Sequence, residues 1–236
     1  MALMLLTLVC ILTYSFEIVF GLAGTILLLT ILTWLYEAKT LVIYSTLPQL
    51  LVGVIGLARS PRTVQWTVLA GMIGFAALGG VAGLYFFYRA PAGLFQLLLA
   101  AVITLSGLWL VLAPGRFRLT TPWARVLDTL AGLSQALFGI SGPVAMTRML
   151  ATFPDKTTVR NYALAFFLAL NLLRVAGYVL NDTFTPDIAQ MMLVSGPFIA
   201  VALWFSNHLH FRVNERRFRQ VVAWVILAGG VTLFFR

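Results

Sequence analysis

The sequence predicts an all-α polytopic membrane protein made of two inverted-topology repeats. Each repeat is a broken or re-entrant helical hairpin followed by three transmembrane helices. Three observations carry that expectation: long apolar runs recur along the chain, the first half matches the second, and Lys and Arg are unevenly shared among the connectors. The chain is 61% hydrophobic and 10% charged, with a mean hydropathy of +0.98. That is too little charge to cover a soluble domain of 236 residues. A helical span takes roughly 20 apolar residues, and the runs here do not alternate as the strands of a membrane barrel would.

The apolar segments fall at 2–36, 40–58, 65–88, 93–112, 126–153, 157–180, 188–207 and 218–235. The longest hydrophilic connector, Ala113–Arg125, divides them four and four. It predicts a first membrane repeat over 1–112, a cytoplasmic connector over 113–125 and a second membrane repeat over 126–236. A shift of 118 residues lays FGLAG (Phe20–Gly24) on FGISG (Phe138–Gly142), Thr40 on Thr158 and Tyr44 on Tyr162. Farther along, a shift of 123 pairs Phe95 with Phe218, Gly107 with Gly230 and Leu110 with Leu233. In so leucine-rich a chain the Gly, Tyr and Phe matches carry the weight. Duplicated halves are frequent in transporters, with the substrate site between them.

The connectors decide the parity. If every segment crosses once, six basic residues face one side and eight the other, which is no bias. If 126–153 enters and returns on one side, the connectors 59–64, 113–125, 153–160 and 208–217 share a face with Arg219. That face holds eleven Lys and Arg, against Lys39, Arg89 and Arg236 opposite. Orientation follows Lys and Arg in short loops, which face the cytoplasm, so the second arrangement is expected. By the repeat, 2–36 is a hairpin too. About 35 residues also suffice for two full crossings, which leaves the parity unchanged.

Non-helical backbone at membrane depth is tolerated only where it is buried in protein or lines a wet cavity. A break at Gly139–Pro143 starts a half-helix at Pro143, whose missing N–H suits the first turn. The following N–H groups, with the positive end of the helix dipole behind them, attract an anion. Gly21, Gly24 and Thr25 form a second, symmetry-related tip. Gly139, Ser141, Gly142 and Pro143 thus join Gly21, Gly24 and Thr25 as expected substrate contacts. Close helix packing is the alternative for such glycines, and it is the reading for Gly71, Gly74, Gly79, Gly80 and Gly83.

Two arginines lie within apolar segments, Arg148 and Arg174. An arginine in hydrocarbon costs at least about 2.5 kcal/mol on insertion scales, so it faces a cavity or a partner. Its fork matches sulfonate or carboxylate oxygens. Snorkelling, or pairing of Arg148 with Asp155 and approach of Arg174 to Asp182, are the structural alternatives. Glu17 lies deep in the first segment, where it either carries a coupling proton or pairs with an intramembrane arginine. Ser45, Gln49 and Asn171 are further expected substrate contacts; Tyr44, Ser134 and Gln135 are donors too, and each alone reads as an interhelical hydrogen bond. Trp66, Trp109, Trp123 and Trp224 read as interface anchors.

The single Cys10 and the two histidines, His208 and His210, leave no expected metal site, and no cofactor motif or catalytic constellation is present. An enzyme is therefore not expected. The net charge of +9 resides in connectors, which argues against nucleic acid. MALMLLTLVC lacks a basic n-region and a cleavage site and reads as part of the mature protein.

At this point FGISGPVAM (Phe138–Met146) and FPDKTTVRNYALAFFLALNLLRVAGYVL (Phe153–Leu180) resemble the second-half signature of the sulfite exporter TauE/SafE family of membrane permeases. The matching positions are Arg160, Asn161, Asn171, Arg174 and Tyr178. Leu32–Gly53 resembles the family's segment in which a Lys precedes a Ser-bearing helix, here Lys39 and Ser45, and Val64–Trp66 resembles its next helix start. The chain departs at the first tip, with Gly21 and Gly24 where the family has a longer glycine run. The resemblance implies a multi-pass protein of the cell inner membrane that moves a small sulfur-containing or organic anion, such as sulfite, a sulfonate or a short carboxylate. Export by alternating access is the implied direction and mechanism. A coupling proton or sodium ion and a homodimer are compatible with it. The competing readings are a non-transporting membrane assembly subunit and a cation-coupled permease for a different substrate.

Overall fold

The structure, a computed structural model, describes residues 2–20, 23–58, 64–112, 119–153, 156–208 and 215–235. Among these the regular structure is helical throughout. In the first half, α1 (Ala2–Phe20) and α2 (Gly24–Leu32) form a hairpin. They are followed by α3 (Ala38–Tyr44), α4 (Thr46–Leu57), α5 (Trp66–Arg89) and α6 (Ala92–Leu112). The second half runs through a second hairpin, α7 (Thr121–Phe138) and α8 (Gly142–Thr152), to α9 (Lys156–Leu180), α10 (Pro186–His208) and α11 (Glu215–Leu233). The stretches Ala38–Leu57, Trp66–Arg89, Ala92–Trp109, Thr157–Leu180 and Pro186–His208 are long and apolar enough to cross a membrane. The return arms are not: α2 has 9 residues and α8 has 11. At about 1.5 Å per residue neither reaches across about 30 Å of hydrocarbon.

The halves pack on each other rather than side by side as separate bodies. Helix α5 lies along α7, α10 along α1, α4 along α9 and α6 along α11. Leu78 and Val81 on α5 and Leu193 and Phe198 on α10 point outward. Exposed rows of that kind suit lipid rather than water. The buried polar side chains (Glu17, Thr25, Ser45, Gln49, Gln135, Ser141, Asn171 and Arg174 among them) gather inside. Trp66 and Trp123 sit exposed in the first turns of α5 and α7, where interface anchors belong.

Two details differ from the segment reading. The span at 40–58 is interrupted at Ser45, between α3 and α4, although Ser45 keeps right-handed helical angles. Pro48 has no N–H to offer the carbonyl of Tyr44 one turn back, so the helical ladder loses one bond there. The hydrophilic connector is also shorter than 113–125, because α7 starts at Thr121 with Pro122 in its first turn. Proline pre-sets the helical φ at that position without losing a bond.

The small-residue face on α5 covers only part of the expected glycines. A Cβ on Gly79 would collide with the Thr129 carbonyl of α7, and one on Gly132 of α7 with the Ala76 carbonyl of α5. At Gly83 it would lie 2.8 Å from Ala136 Cβ, and at Gly80 2.6 Å from Leu173 Cδ2. Gly71 and Gly74 have nothing within 4 Å of that position, since both lie on the exposed side of α5. Gly79→Ala is expected to cost about 1–3 kcal/mol, because two backbones would have to separate. Gly74→Ala gains helix propensity, up to about 1 kcal/mol. Thermal unfolding of the two variants in detergent checks the contrast: a lowered Tm for the first and an unchanged or raised Tm for the second.

Candidate functional site

The second tip is built by local chemistry. Gly139 ends α7 in the left-handed region at φ 70°, where glycine carries no Cβ penalty. Its N–H donates to the Gln135 carbonyl at 2.8 Å and the Ile140 N–H to Ser134 at 3.4 Å, closing the helix end. The helix ladder of α8 begins with the Ala145 N–H donating to the Ser141 carbonyl at 2.8 Å. Pro143 is buried in the first turn. The N-terminus of α8 therefore opens at Ser141 and Gly142. At the first tip, Ala23 takes the left-handed conformation at φ 81° before α2 starts at Gly24. Gly21 lies outside the described residues.

Both tips face one small cavity of about 20 Å³, lined by Glu17, Ala23, Thr25, Ile26, Gln49, Gln135, Gly139, Ile140, Ser141, Gly142 and Phe167. That volume has room for about one water. Five of the residues expected at a substrate site, Thr25, Gln49, Gly139, Ser141 and Gly142, thus come together there with Glu17.

Gln49 of α4 ties the two tips. Its Nε2 donates to Thr25 Oγ1 at 2.7 Å and to the Gly139 carbonyl at 2.9 Å. Its Oε1 accepts from Gln135 Nε2 at 3.1 Å and from Arg174 Nη1 at 2.9 Å. Gln135 also donates to Asn171 Oδ1 at 3.1 Å, and its Oε1 accepts from Ser141 Oγ at 2.7 Å. Tyr14 and Thr25 share a hydrogen bond at 2.8 Å, and the Thr25 N–H donates to Glu17 Oε2 at 3.3 Å.

Arg174 stands behind this network with 0% exposure. Nη1 donates to Gln49 and, at 3.0 Å, to Asn171 Oδ1; Nη2 donates to the Val42 carbonyl at 2.7 Å. Longer contacts reach Ser45 Oγ at 3.5 Å and Tyr178 OH at 3.4 Å. A Cβ on Gly139 would come within 3.0 Å of both Arg174 Nη1 and Ser45 Oγ, so a side chain there would enter the guanidinium's space. Every partner is a neutral oxygen. No carboxylate pairs with this cation among the described residues, and its buried Nε has no hydrogen-bond partner among them. The alternative of an outward approach to Asp182 is not seen: Arg174 turns inward, and Ser45 and Asn171 bond to it rather than line the cavity.

Arg148 belongs elsewhere. Its Nε lies 3.4 Å from Asp128 on the facing arm of the hairpin, and its Nη1 contacts Thr152. Arg148 is thus engaged by an acid of its own hairpin and is not among the cavity's lining residues. Tyr44 is also drawn off, bonded to Ser195 at 2.7 Å. Gln135, by contrast, is central to the network, although its residue type alone pointed to an interhelical bond. The signal was in the repeat: the 118-residue shift that pairs the tips lays Gln135 on Glu17.

Two helix N-termini converge on the cavity and a buried guanidinium lies one side chain behind it; the Glu17 carboxyl and the C-terminal end of α7 at Gly139 oppose them. In comparisons with known proteins, the family model for the sulfite exporter TauE/SafE family matches residues 6–233. No curated protein and no solved structure matches the chain.

Proposed function

The chain belongs to the sulfite exporter TauE/SafE family of membrane transporters, and from that premise we propose that it is a secondary transporter of a small anion. Sulfite, a sulfonate or a short carboxylate fits the site, with export the proposed direction. The observation that carries this reading is Arg174, a wholly buried cation whose recorded partners are all neutral. A buried charge without a counter-charge is costly. A transported anion would supply that counter-charge transiently, close to two helix N-termini that already favour it.

The anion is proposed to bind between the tips, using the N–H groups at Ser141 and Gly142 and the side chains of Thr25, Gln49 and Ser141. Arg174 acts from behind through its field and through Gln49, and reaches the anion directly only as the tips part. At about 20 Å³ the cavity is too tight for a sulfonate, so loading requires the hairpins to separate. One half rocking against the other would do this.

The architecture proposed is a pair of inverted repeats, 1–112 and 126–236, each a re-entrant hairpin plus three crossings. Equivalent pairings support it. The packing of α5 on α7 has its counterpart in α10 on α1. A Cβ on Gly107 would meet Leu227, and one on Gly230 would meet Thr104; the 123-residue shift exchanges these two contacts. The connector at 113–125 is proposed to be cytoplasmic and the membrane the cell inner membrane, a reading that the basic connectors support.

Counterflow in proteoliposomes tests the function. Vesicles loaded with unlabelled methanesulfonate, sulfite or acetate should accumulate the labelled anion transiently, faster than protein-free vesicles. Absence of counterflow for every member of the panel would contradict the reading.

A further inference from the structure

We propose that Glu17 is a proton-binding site coupled to the anion site, so that each anion is carried together with one proton. The proposal rests on the anion-transport reading above. Glu17 is 6% exposed and lines the cavity between the tips. Its carboxyl lies over the first turn of α2: Oε2 accepts the Thr25 N–H at 3.3 Å and packs against Gly24. A charged carboxyl there takes the position that an anion would take at a helix N-terminus. The first tip is thus covered by the chain's own acid.

The second tip differs at the equivalent position. The 118-residue correspondence puts Gln135 where the first half has Glu17, and Gln135 covers its own tip through Ser141. One tip is capped by a group that can change charge and the other by a group that cannot. The two caps line the same cavity.

An entering anion would therefore meet the Glu17 carboxylate within a few ångströms, with no bulk water between them. Like charges sharing a desolvated site are relieved when one of them takes a proton. The balance is simple. Glu17 takes one proton from the open side, its –COO⁻ becoming –COOH, and the site gains one positive charge. The anion brings one negative charge, so the loaded cavity carries the same net charge as the empty one. Release to the far side reverses both steps, and no oxidant or other reactant is needed.

The surroundings leave Glu17 as the group that can do this. On α1 the other titratable groups are Cys10 and Tyr14, both buried and ordinarily neutral. Helices α2 and α4, which pack on α1, carry no titratable side chain. Helix α10 carries Asp187 and His208, both exposed and at its two ends. Helix α9 brings Arg174 behind the network and Arg160, whose Nη2 donates to the Ile18 carbonyl at 3.1 Å. Both are cations and neither has a proton to exchange at neutral pH.

The test uses purified full-length protein and methanesulfonate, an anion of a strong acid that takes up no proton itself. Binding is followed together with the proton uptake of a weakly buffered solution. The expected result is about one proton per anion bound, with Kd rising about tenfold per pH unit once Glu17 is ionised in the free protein. Glu17→Gln should remove both the proton uptake and the slope. Wild-type binding with no proton uptake and a flat Kd would overturn the proposal while sparing anion transport. Undiminished uptake in Glu17→Gln would overturn it too, by placing the proton elsewhere. If that variant does not fold, the wild-type measurements alone decide. No binding of methanesulfonate at any pH would count against the proposal and the transport reading together.

Discussion

Arg174→Lys should lose about 10- to 150-fold in anion affinity while the protein still folds, which is the effect of one charge-assisted hydrogen bond lost. The guanidinium serves Gln49 and Asn171 from one nitrogen and the Val42 carbonyl from the other. A lysine ammonium is a point donor on a flexible stem and cannot span those directions. Gln49 Oε1 would lose the shorter of its two hydrogen bonds and keep only Gln135, and Gln49 is the residue bonded to both tips. The positive charge survives, so a role that depended on charge alone would leave affinity nearly intact.

Arg174→Met sharpens the contrast. It removes a buried cation that no described carboxylate compensates, and that offsets part of what is lost. Gln49 Oε1 and Asn171 Oδ1 keep Gln135 as a donor, and the Val42 carbonyl loses the guanidinium but keeps the Ser45 hydroxyl at 2.6 Å. No acceptor is left unsatisfied, so the cost is that of the charged hydrogen bonds themselves, about 1.5–3 kcal/mol each before that offset. Anion binding should be abolished with only a moderate loss of stability. Isothermal binding and thermal unfolding on the same preparations check both halves. Losses of stability and affinity that track each other across Lys and Met would mean that Arg174 is a scaffold only.

The large features of this fold are written in residues with strong local consequences. Gly139 must adopt a positive φ and Pro143 must start a helix, so the break at the second tip is legible from five letters. The matching FGLAG shows the first tip by repetition. Arg174 was legible for a different reason: a cation in an apolar helix has few structural uses. Arg148 carries the same signal with another outcome, because among the described residues its partner is Asp128, across the hairpin; Asp155 lies outside them. Distance in sequence hides such a pair until the hairpin is closed.

The interruption at Ser45 left a trace in Pro48, but the apolar runs on either side, Leu41–Ile43 and Leu50–Val52, mask it. Gln135 and Phe167 became cavity-lining residues only when α7 and α9 were packed against α4, since neither residue type marks a ligand. Gly71 and Gly74 show the limit of spacing arguments. They lie on the same helix as Gly79 and Gly83, yet the face of α5 that meets α7 carries Ala76, Gly79 and Gly83 and leaves Gly71 and Gly74 on the exposed side.

If the transported anion sits between the two tips, it shields a cysteine placed at Ile140 from labelling. Ile140 is 3% exposed and lines the cavity without donating a hydrogen bond through its side chain, so Ile140→Cys leaves the polar network in place. Cys10 is fully buried and free, and the parent chain gives the background. A negatively charged methanethiosulfonate reagent should modify the new thiol as the site opens. Methanesulfonate at ten times its Kd should slow that reaction about tenfold, because only the unoccupied fraction reacts. Asn181→Cys, in the exposed turn after α9, should label at the same rate with and without the anion. Protection at position 140 but not at 181 is the result predicted here; an unchanged rate at 140, in a protein shown to bind the anion, would contradict the claim and move the substrate elsewhere.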